Sequence, residues 1–271
     1  MKMAKSIVIL SILWYNIKVV KKGENINMDT VLNILREQKE MELKGNLYHI
    51  TQINFAYNTN HIEGSTLTEE QTRYIYETNA LILENGNSIT KVDDIIETSN
   101  HFKLIDYMLD VADKVLTENM IKEFHKILKS GTSDERKSWF KVGDYKTLEN
   151  EVGGNSTISP KDVAIEMNKL LNWYNSLENI AFEDIIKFHS DFEKIHPFQD
   201  GTGRVGRIIM FKVCLKNNIV PFIILDKDKL FYYRGLNEYQ NGGEKGYLVD
   251  TCLKEQDQYQ KLIDKFIGEI K

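Results

Sequence analysis

The chain has 271 residues, of which 42% are hydrophobic and 28% charged, and its net charge is −5 at pH 7. This length allows one large domain or two small ones, and the composition excludes a largely disordered chain. The net negative charge argues against broad nucleic-acid binding, which requires a basic surface that neutralises phosphates. It still allows a local basic pocket for one nucleotide.

The first 27 residues are set apart as an N-terminal extension of undecided status. Within them, residues 7–14 form an apolar run with a superficial likeness to a signal peptide. The run is too short to span a bilayer, and no small-residue cleavage site follows it. The two cysteines, Cys214 and Cys252, fit neither a metal spacing nor a disulfide framework. We therefore expect a cytoplasmic protein without membrane attachment, because this cysteine usage suits a reducing compartment.

From residue 28 onward the apolar spacing is mainly helical, and we predict a single mainly α domain over residues 28–271. A helix over about 47–64 carries apolar residues at three- and four-residue steps and stops at Gly64. The segment from Thr66 to Glu69 resembles a capping box that opens the next helix. Further helices are predicted over about 93–114, from Thr117, from Pro160, over 182–195, after the loop at 197–203, and from 228.

Residues 139–154 depart from this helical spacing and are typical of a short hairpin, which we call the flap. A surface hairpin without a binding partner is the alternative interpretation. Residues 219–225 form the one convincing apolar extended run. The predicted architecture is therefore a helical bundle with a minor β-hairpin.

Residues that suggest chemistry are concentrated at 196–207, in the sequence His-Pro-Phe-Gln-Asp-Gly-Thr-Gly-Arg-Val-Gly-Arg. Pro197 forces His196 out of helical geometry at a helix end, where an imidazole can act as a general base near neutral pH. Gly201 and Gly203 let backbone N–H groups approach phosphate oxygens at a helix N-terminus. The loop therefore combines a base with an anion site.

Charged side chains of this loop supply what a nucleoside triphosphate further requires. Arg204 and Arg207 lie three residues apart, so one helical face presents two guanidinium groups to phosphates. Asp200 offers the single carboxylate that Mg²⁺ usually takes from protein when phosphates and water complete its shell. This pattern predicts a site for a nucleoside triphosphate with a divalent metal ion.

Other interpretations of the loop compete with this one. Its three glycines also spell G-x-G-x-x-G, and Asp226 lies twenty residues after Gly206, as in a dinucleotide-binding fingerprint. That fingerprint requires a strand directly before the glycines, whereas residues 182–195 have helical spacing. A P-loop requires Lys-Ser or Lys-Thr after the last glycine, and neither is present. A purely structural turn does not call for a histidine, an aspartate and two arginines together.

The loop resembles the signature of the Fic-domain family, H-P-F-x-[D/E]-G-N-G-R-x-x-R, at every fixed position except one, where Thr202 replaces Asn. A match over twelve residues is specific, and the wider resemblance covers about residues 45–250. It implies a Fic-type helical bundle with a hairpin flap. It also implies a protein adenylyltransferase that moves AMP from ATP to a Ser, Thr or Tyr hydroxyl of a protein, the enzyme itself included.

By this resemblance, His196 would deprotonate the target hydroxyl, which attacks the α-phosphorus of ATP. Asp200 would hold Mg²⁺ or Mn²⁺. The implied phosphate-binding residues are Gly201, Thr202, Gly203, Arg204 and Arg207. Threonine can donate a hydroxyl hydrogen bond but is shorter than asparagine. We expect activity to be retained, and weaker activity or an altered metal and nucleotide preference stays open.

The segment 59–64 resembles the family's inhibitory motif, [S/T]-x-x-x-E-[G/N]. Thr59 and Glu63 lie one turn apart on one face of the predicted helix. The resemblance implies that Glu63 pairs with Arg207 and competes with the γ-phosphate for it. An ordinary solvated glutamate before a helix stop is the alternative.

The same resemblance places Tyr232, Tyr233 and Gln240 at the adenine, although core packing also explains the tyrosine pair. It implies that the flap holds a target segment by main-chain pairing. ATP, an unidentified protein target and the enzyme itself are the implied partners, a homo-oligomer is left open, and neither nucleic acid nor membrane is expected. The remaining histidines lack ligand spacing and are expected to be structural or exposed: His49, His61, His101, His125 and His189.

Two other functions stay open at this stage. One is a Fic-type transferase that uses another nucleotide or phosphate donor. The other is a catalytically silent nucleotide-binding regulator, for which Thr202 is the clue.

Overall fold

The computed structural model describes residues 29–82 and 90–267, and the N-terminal extension lies outside them. These ranges contain ten α-helices and one two-stranded hairpin, so the predicted mainly α architecture is confirmed. None of these helices combines the length and apolarity that a bilayer crossing requires. In chain order the helices are α1 (Asp29–Met41), α2 (Leu47–Ile62), α3 (Glu69–Thr78), α4 (Val92–Asp110), α5 (Glu118–Lys129), α6 (Pro160–Asn175), α7 (Phe182–Ile195), α8 (Thr202–Lys216), α9 (Lys229–Gln240) and α10 (Gly246–Ile267).

The core is organised around α8, whose residues are buried without interruption from Thr202 to Leu215. Beyond its first two turns the helix is largely apolar all round, as expected of a helix that others enclose. It packs against α7, and α1, α2, α4 and α5 also contact it. Because α8 is enclosed, the loop that leads into its first turn is surrounded by side chains of other helices.

Lys212 lies in α8 and has no exposed surface. Its Nζ donates to the backbone carbonyl oxygens of Ala112 at 3.2 Å and Lys114 at 2.6 Å. A buried ammonium group requires such acceptors, since its desolvation is otherwise costly. Burial also lowers the pKa of Lys212 to about 8. This contact holds α8 against the turn that follows α4.

The cap that begins α3 differs from its sequence prediction by two residues. The capping box is formed by Thr68 and Gln71, with each side chain accepting from the other residue's backbone N–H, instead of by Thr66 and Glu69. The hydroxyl of Thr66 instead donates to Oδ2 of Asp94 at 3.1 Å. Thr66 is therefore engaged in a tertiary contact with α4, and Thr68 caps the helix instead.

The β structure of the described ranges is one antiparallel hairpin, β1 (Glu151–Val152) and β2 (Asn155–Ser156), which extends two residues beyond the predicted flap of residues 139–154. Gly153 and Gly154 form the two-residue turn with φ of 57° and 80°, values that favour glycine. Residues 219–225, the apolar extended run, form no strand within these ranges. They pack into the core instead, so their apolar character reflects burial alone.

Helices α9 and α10 approach closely at Gly235, where an added Cβ would lie 2.7 Å from Cα of Leu248. We expect Gly235→Ala to lower the free energy of unfolding by about 1–3 kcal/mol, because backbone cannot yield as a flexible side chain can. Gly246→Ala is the matched control, since the nearest atom to its Cβ would be 3.9 Å away. Urea unfolding of both variants checks this, and equal effects would contradict the packing.

Candidate functional site

The loop between α7 and α8 is defined by two residues with left-handed backbone conformation. His196 caps the C-terminus of α7 with φ 50° and ψ 65°, a conformation that residues other than glycine rarely adopt. Pro197 follows it, and His196 is outside helical geometry, as the sequence predicts. At the other end Gly201 has φ 84° and is the N-cap of α8. The helix N-terminus predicted as an anion site therefore begins at Thr202.

A stacked pair anchors this loop in the core. The fully buried ring of Phe198 lies 4.0 Å from the imidazole of His125, at an interplanar angle of 2°. Nδ1 of His125 accepts from the N–H of Gly143 at 2.9 Å, so the neutral ring carries its proton on Nε2. Nε2 then donates to the carbonyl oxygen of Asp200 at 3.1 Å. Burial lowers the pKa of His125 to about 3, which keeps the ring neutral.

Thr202 uses its hydroxyl within the loop. Oγ1 accepts from the N–H of Phe198 at 3.2 Å and lies 3.4 Å from the carbonyl oxygen of the same residue. The side chain is buried, with 1% of its residue surface exposed. The hydroxyl of Thr202 therefore links the start of α8 to Phe198 in the loop. The backbone N–H of Thr202 belongs to the first turn of α8.

Arg207 joins α8 to the predicted inhibitory helix, which the structure describes as α2. Its Nε donates to Oγ1 of Thr59 at 2.7 Å, and Nη2 donates to Oε1 of Glu63 at 2.5 Å. The Glu63 carboxylate also lies against the first turn of α8, where a Cβ on Gly203 would collide with Oε1. Glu63 is therefore a paired carboxylate at the helix N-terminus rather than a freely solvated one.

Asp200 is held by two cations. Its Oδ2 accepts from Nζ of Lys129 at 2.6 Å and from Nη2 of Arg204 at 3.2 Å. Burial acts to raise its pKa, but the charges of Arg204 and Lys129 hold the pKa of Asp200 well below its usual range. The side chain is 47% exposed. An ionised, accessible carboxylate beside a helix N-terminus fits the single protein ligand that Mg²⁺ takes when phosphates supply the rest.

Arg204 is the second buried guanidinium of this site. Its Nη1 is paired with Oε2 of Glu97 and lies 3.3 Å from Oδ1 of Asn60. The two arginines therefore have different partners: Arg204 pairs with Glu97 and Asp200, whereas Arg207 contacts Thr59 and Glu63. Both remain ionised, since the pKa of each is raised despite burial by the carboxylates beside it.

His196 is half-buried, and its Nδ1 has no hydrogen-bond partner among the described residues. Burial lowers the pKa of its imidazole to about 4, and the charge of Lys146 acts in the same direction. Glu63 and Asp200 oppose that shift but do not outweigh it. The ring is therefore neutral at pH 7 and able to accept a proton.

Lys146 connects the flap with the chain on either side of His196. Its Nζ donates to Oδ1 of Asn150 at 2.7 Å and to Oγ1 of Thr157 at 2.5 Å, one on each side of the hairpin. The same Nζ lies 3.5 Å from the carbonyl oxygen of Ile195. The backbone N–H of Lys146 donates to the carbonyl oxygen of Pro197 at 2.9 Å. This lysine is 3% exposed, and burial lowers its pKa to about 8.

The three residues predicted at the adenine are held in different ways. Tyr232 is 1% exposed, and its hydroxyl lies 2.6 Å from Nε2 of His189. Tyr233 is 41% exposed and donates to the carbonyl oxygen of Ile62, the last residue of α2. Gln240 donates to a backbone carbonyl of α7. Tyr232 is thus buried in the core, and Tyr233 secures the end of the helix that precedes Glu63. A role of the three residues at an adenine stays a prediction.

Sequence reasoning missed three residues of this site. Lys129 and Lys146 carry no spacing signal, because each lysine meets its partners only in the folded chain. His125 was expected to be structural or exposed, and it is structural. Its place in the site could not be inferred from residues 117–129, since its contacts are with the loop and with Gly143.

We expect the imidazole of His196 to titrate at about pH 4, and Lys146→Met to raise that pKa, because the variant removes a positive charge that disfavours the protonated ring. Proton NMR of the imidazole signals, with His196 identified by its loss in His196→Ala, measures both values. Lys146→Arg is the matched control, since it keeps the charge. An unchanged or lower pKa in Lys146→Met would contradict the electrostatic coupling.

Residues 115–214 match the family model described as Fic/DOC family. A protein named Protein adenylyltransferase Fic from Aedes aegypti is 28% identical over 237 residues, which cover 85% of this chain and 44% of that protein. A protein of the same name from Nematostella vectensis is 27% identical over 205 residues, covering 73% of this chain and 46% of the relative. The chain therefore spans less than half the length of these relatives.

Solved structures show the same fold. A Fic domain containing signaling protein from Bacteroides thetaiotaomicron superimposes with a TM-score of 0.67 at 23% identity, over 87% of this chain and 95% of that one. A Fic family protein from Desulfovibrio desulfuricans gives a TM-score of 0.64 at 21% identity, over 89% and 76%. The loop signature, the family model and the fold agree. Over residues 115–214 this chain is therefore similar to the Fic/DOC family.

Proposed function

We propose that this chain is a protein adenylyltransferase that transfers AMP from ATP to a Ser, Thr or Tyr hydroxyl of a protein and is inhibited by its own Glu63. One observation carries the proposal. A neutral histidine, an ionised carboxylate and two buried guanidinium groups lie on one short loop and the helix N-terminus that follows it. The adenylyltransferase names of the relatives support the same reaction.

In this reaction His196 takes the proton of the target hydroxyl as its oxygen attacks the α-phosphorus of ATP. The bond between the α-phosphorus and the bridging oxygen breaks, and pyrophosphate leaves. A pKa of about 4 makes His196 a weak base in the free protein. Bound phosphates would raise that pKa, because their negative charge favours the protonated imidazole. The base would therefore strengthen when its substrate is present.

Negative charge that develops on the phosphates would be met by groups fixed before the reaction. Backbone N–H groups at Gly201, Thr202 and Gly203 begin α8, where the first N–H groups have no partner within the helix. Arg204 and Arg207 add two ionised side chains that burial holds in place. Such preorganised donors require no rearrangement at the moment of transfer. A divalent ion held by Asp200 would supply further charge neutralisation at the α- and β-phosphates.

The proposed inhibition follows from where Glu63 lies. Its carboxylate pairs with Arg207 and lies against Gly203, so it takes both the guanidinium and the space that a γ-phosphate would need. Two anions cannot share this arginine without repulsion, and ATP would bind fully only when Glu63 moves aside. Thr59 supports the pairing, since it orients Arg207 through Nε.

The flap is the proposed place for the target segment. Each of its strands has only two residues, and Glu151 and Val152 are exposed. An extended segment could therefore add its main chain beside the hairpin. Lys146 ties the base of the flap to the carbonyl oxygens flanking His196, which would bring a target hydroxyl within reach of the base.

We expect Glu63→Gly to bind ATP about tenfold tighter than wild type, the ratio that about 1.4 kcal/mol of competition produces. Isothermal titration calorimetry in the presence of Mg²⁺ measures it. Glu244→Gly, which removes an exposed glutamate from the loop between α9 and α10, is the matched control. Equal affinity in all three proteins would show that Glu63 does not compete with the nucleotide.

The reaction itself is tested by intact-protein mass after incubation with ATP and Mg²⁺. Glu63→Gly should gain the mass of AMP, and Glu63→Gly/His196→Ala should not, because the base is missing. α-labelled and γ-labelled ATP separate the remaining outcomes: label from the α position indicates AMP transfer, and label from the γ position alone indicates phosphorylation. Binding without any transfer, to itself or to added cell extract, would favour a silent nucleotide-binding regulator.

A further inference from the structure

Three carboxylates converge beside the site from three separate parts of the chain. Glu97 lies on α4, Asp134 lies in the short helical turn Ser133–Arg136, and Asp200 lies in the loop. One oxygen of each is within 4.8 Å of the others, a spacing that would suit a divalent cation. Of these three residues, only Asp200 was identified from the sequence.

The centre of this cluster holds the ammonium group of Lys129. Its Nζ lies 2.5 Å from Oε1 of Glu97, 2.7 Å from Oδ2 of Asp134 and 2.6 Å from Oδ2 of Asp200. These distances are close to the calcium–oxygen distance of about 2.3–2.6 Å. Lys129 is 2% exposed, and all three of these carboxylates lie within ion-pair distance of its ammonium group. The lysine therefore supplies a permanent cation where a metal would otherwise find three ligands.

The three carboxylates differ in their access to solvent. The side chains of Glu97 and Asp134 are 13% and 16% exposed, whereas that of Asp200 is 47% exposed. The two inner carboxylates are thus enclosed with Lys129, and Arg204 pairs with Glu97 as well. Asp200 alone can meet an ion that arrives from the open side. Both of its cation contacts use Oδ2, which fixes the carboxylate's orientation.

We propose that the Lys129 ammonium is a built-in cation that closes the three-carboxylate cluster to divalent metal ions, so that Asp200 takes a metal only together with nucleotide phosphates. A divalent ion beside this ammonium would be repelled by it and would find its ligands already paired. Phosphate oxygens change that balance, because they bring both negative charge and further ligands. Lys129 thus sets the metal requirement of the site.

Removing the ammonium should expose a metal site that the natural protein lacks. Lys129→Met keeps an unbranched side chain and leaves Glu97, Asp134 and Asp200 without their shared cation. We expect this variant to bind one Mn²⁺ per chain without nucleotide, at least about tenfold tighter than wild type, since carboxylate ligands set such affinities through their charge. Titration followed by the electron paramagnetic resonance of free Mn²⁺ measures the binding directly.

Two further variants define the origin of the gained site. Lys129→Met/Asp134→Asn should lose most of the gained affinity, because one of the three charged ligands is gone. Lys129→Arg keeps a cation and should stay like wild type. Thermal unfolding with EDTA and with Mn²⁺ gives a second measurement, in which only Lys129→Met should be stabilised by the metal to a larger extent than wild type.

Wild-type protein alone can overturn the proposal, even if Lys129→Met does not fold. Tight Mn²⁺ binding without nucleotide that Asp134→Asn weakens would mean that Lys129 does not close the cluster. A folded Lys129→Met protein that gains no Mn²⁺ affinity would overturn it as well. These measurements record metal binding and unfolding, not AMP transfer, so their outcome is independent of the proposed reaction.

Discussion

The stack of Phe198 on His125 is the contact on which the geometry of the site depends. An aromatic pair of this kind contributes about 0.5–1.5 kcal/mol beyond the burial of its surface. Its larger effect is positional, because the same imidazole donates to the loop at Asp200 and accepts from the chain at Gly143. One neutral ring thus holds the loop through its face, by stacking on Phe198, and through its edge, by two hydrogen bonds. Protonation would abolish the acceptor on Nδ1, and burial prevents it.

Buried cations form the second layer of organisation. Each of the four, Lys129, Lys146, Arg204 and Arg207, has no more than 3% of its surface exposed. They gather four positive charges at the candidate site of a chain whose net charge is −5. Three of them are paired with carboxylates, but Lys146 is satisfied by neutral oxygens and by backbone. Its charge therefore acts on its surroundings with little local compensation, and His196 is the nearby group that it affects.

The extent to which this site could be predicted follows from how far apart its parts lie in the chain. The loop could be interpreted from sequence because its base, carboxylate, glycines and arginines are consecutive. The pairing of Glu63 with Arg207 across 144 residues was inferred only through a family resemblance. Lys129 meets Asp200 across 71 residues and Lys146 meets Ile195 across 49, and no periodicity reports such contacts.

A local capping pattern also failed, because a tertiary contact engages the residue that was expected to form the cap. Thr66 was expected to cap α3, but Asp94 engages its hydroxyl and Thr68 takes the cap. The hydroxyl of Thr202 is bonded to the backbone of Phe198, four residues earlier in the chain, and phosphate binding by Thr202 stays a prediction. For Thr66 the residue type was informative, and the surrounding fold decided its partner.

Because Glu63 belongs to the same chain as Arg207, the anion that we propose competes with ATP is tethered, and its effective concentration at the guanidinium is set by helix geometry. Dilution of the protein does not lower the effective concentration of such a competitor. A higher ATP concentration displaces it only in proportion to that concentration. The hydrogen bond from Tyr233 to Ile62 restrains the backbone directly before Glu63. The activity of such a chain would depend on the ratio of the ATP concentration to the effective concentration of Glu63 at Arg207. It would not depend on the concentration of the protein in the cell.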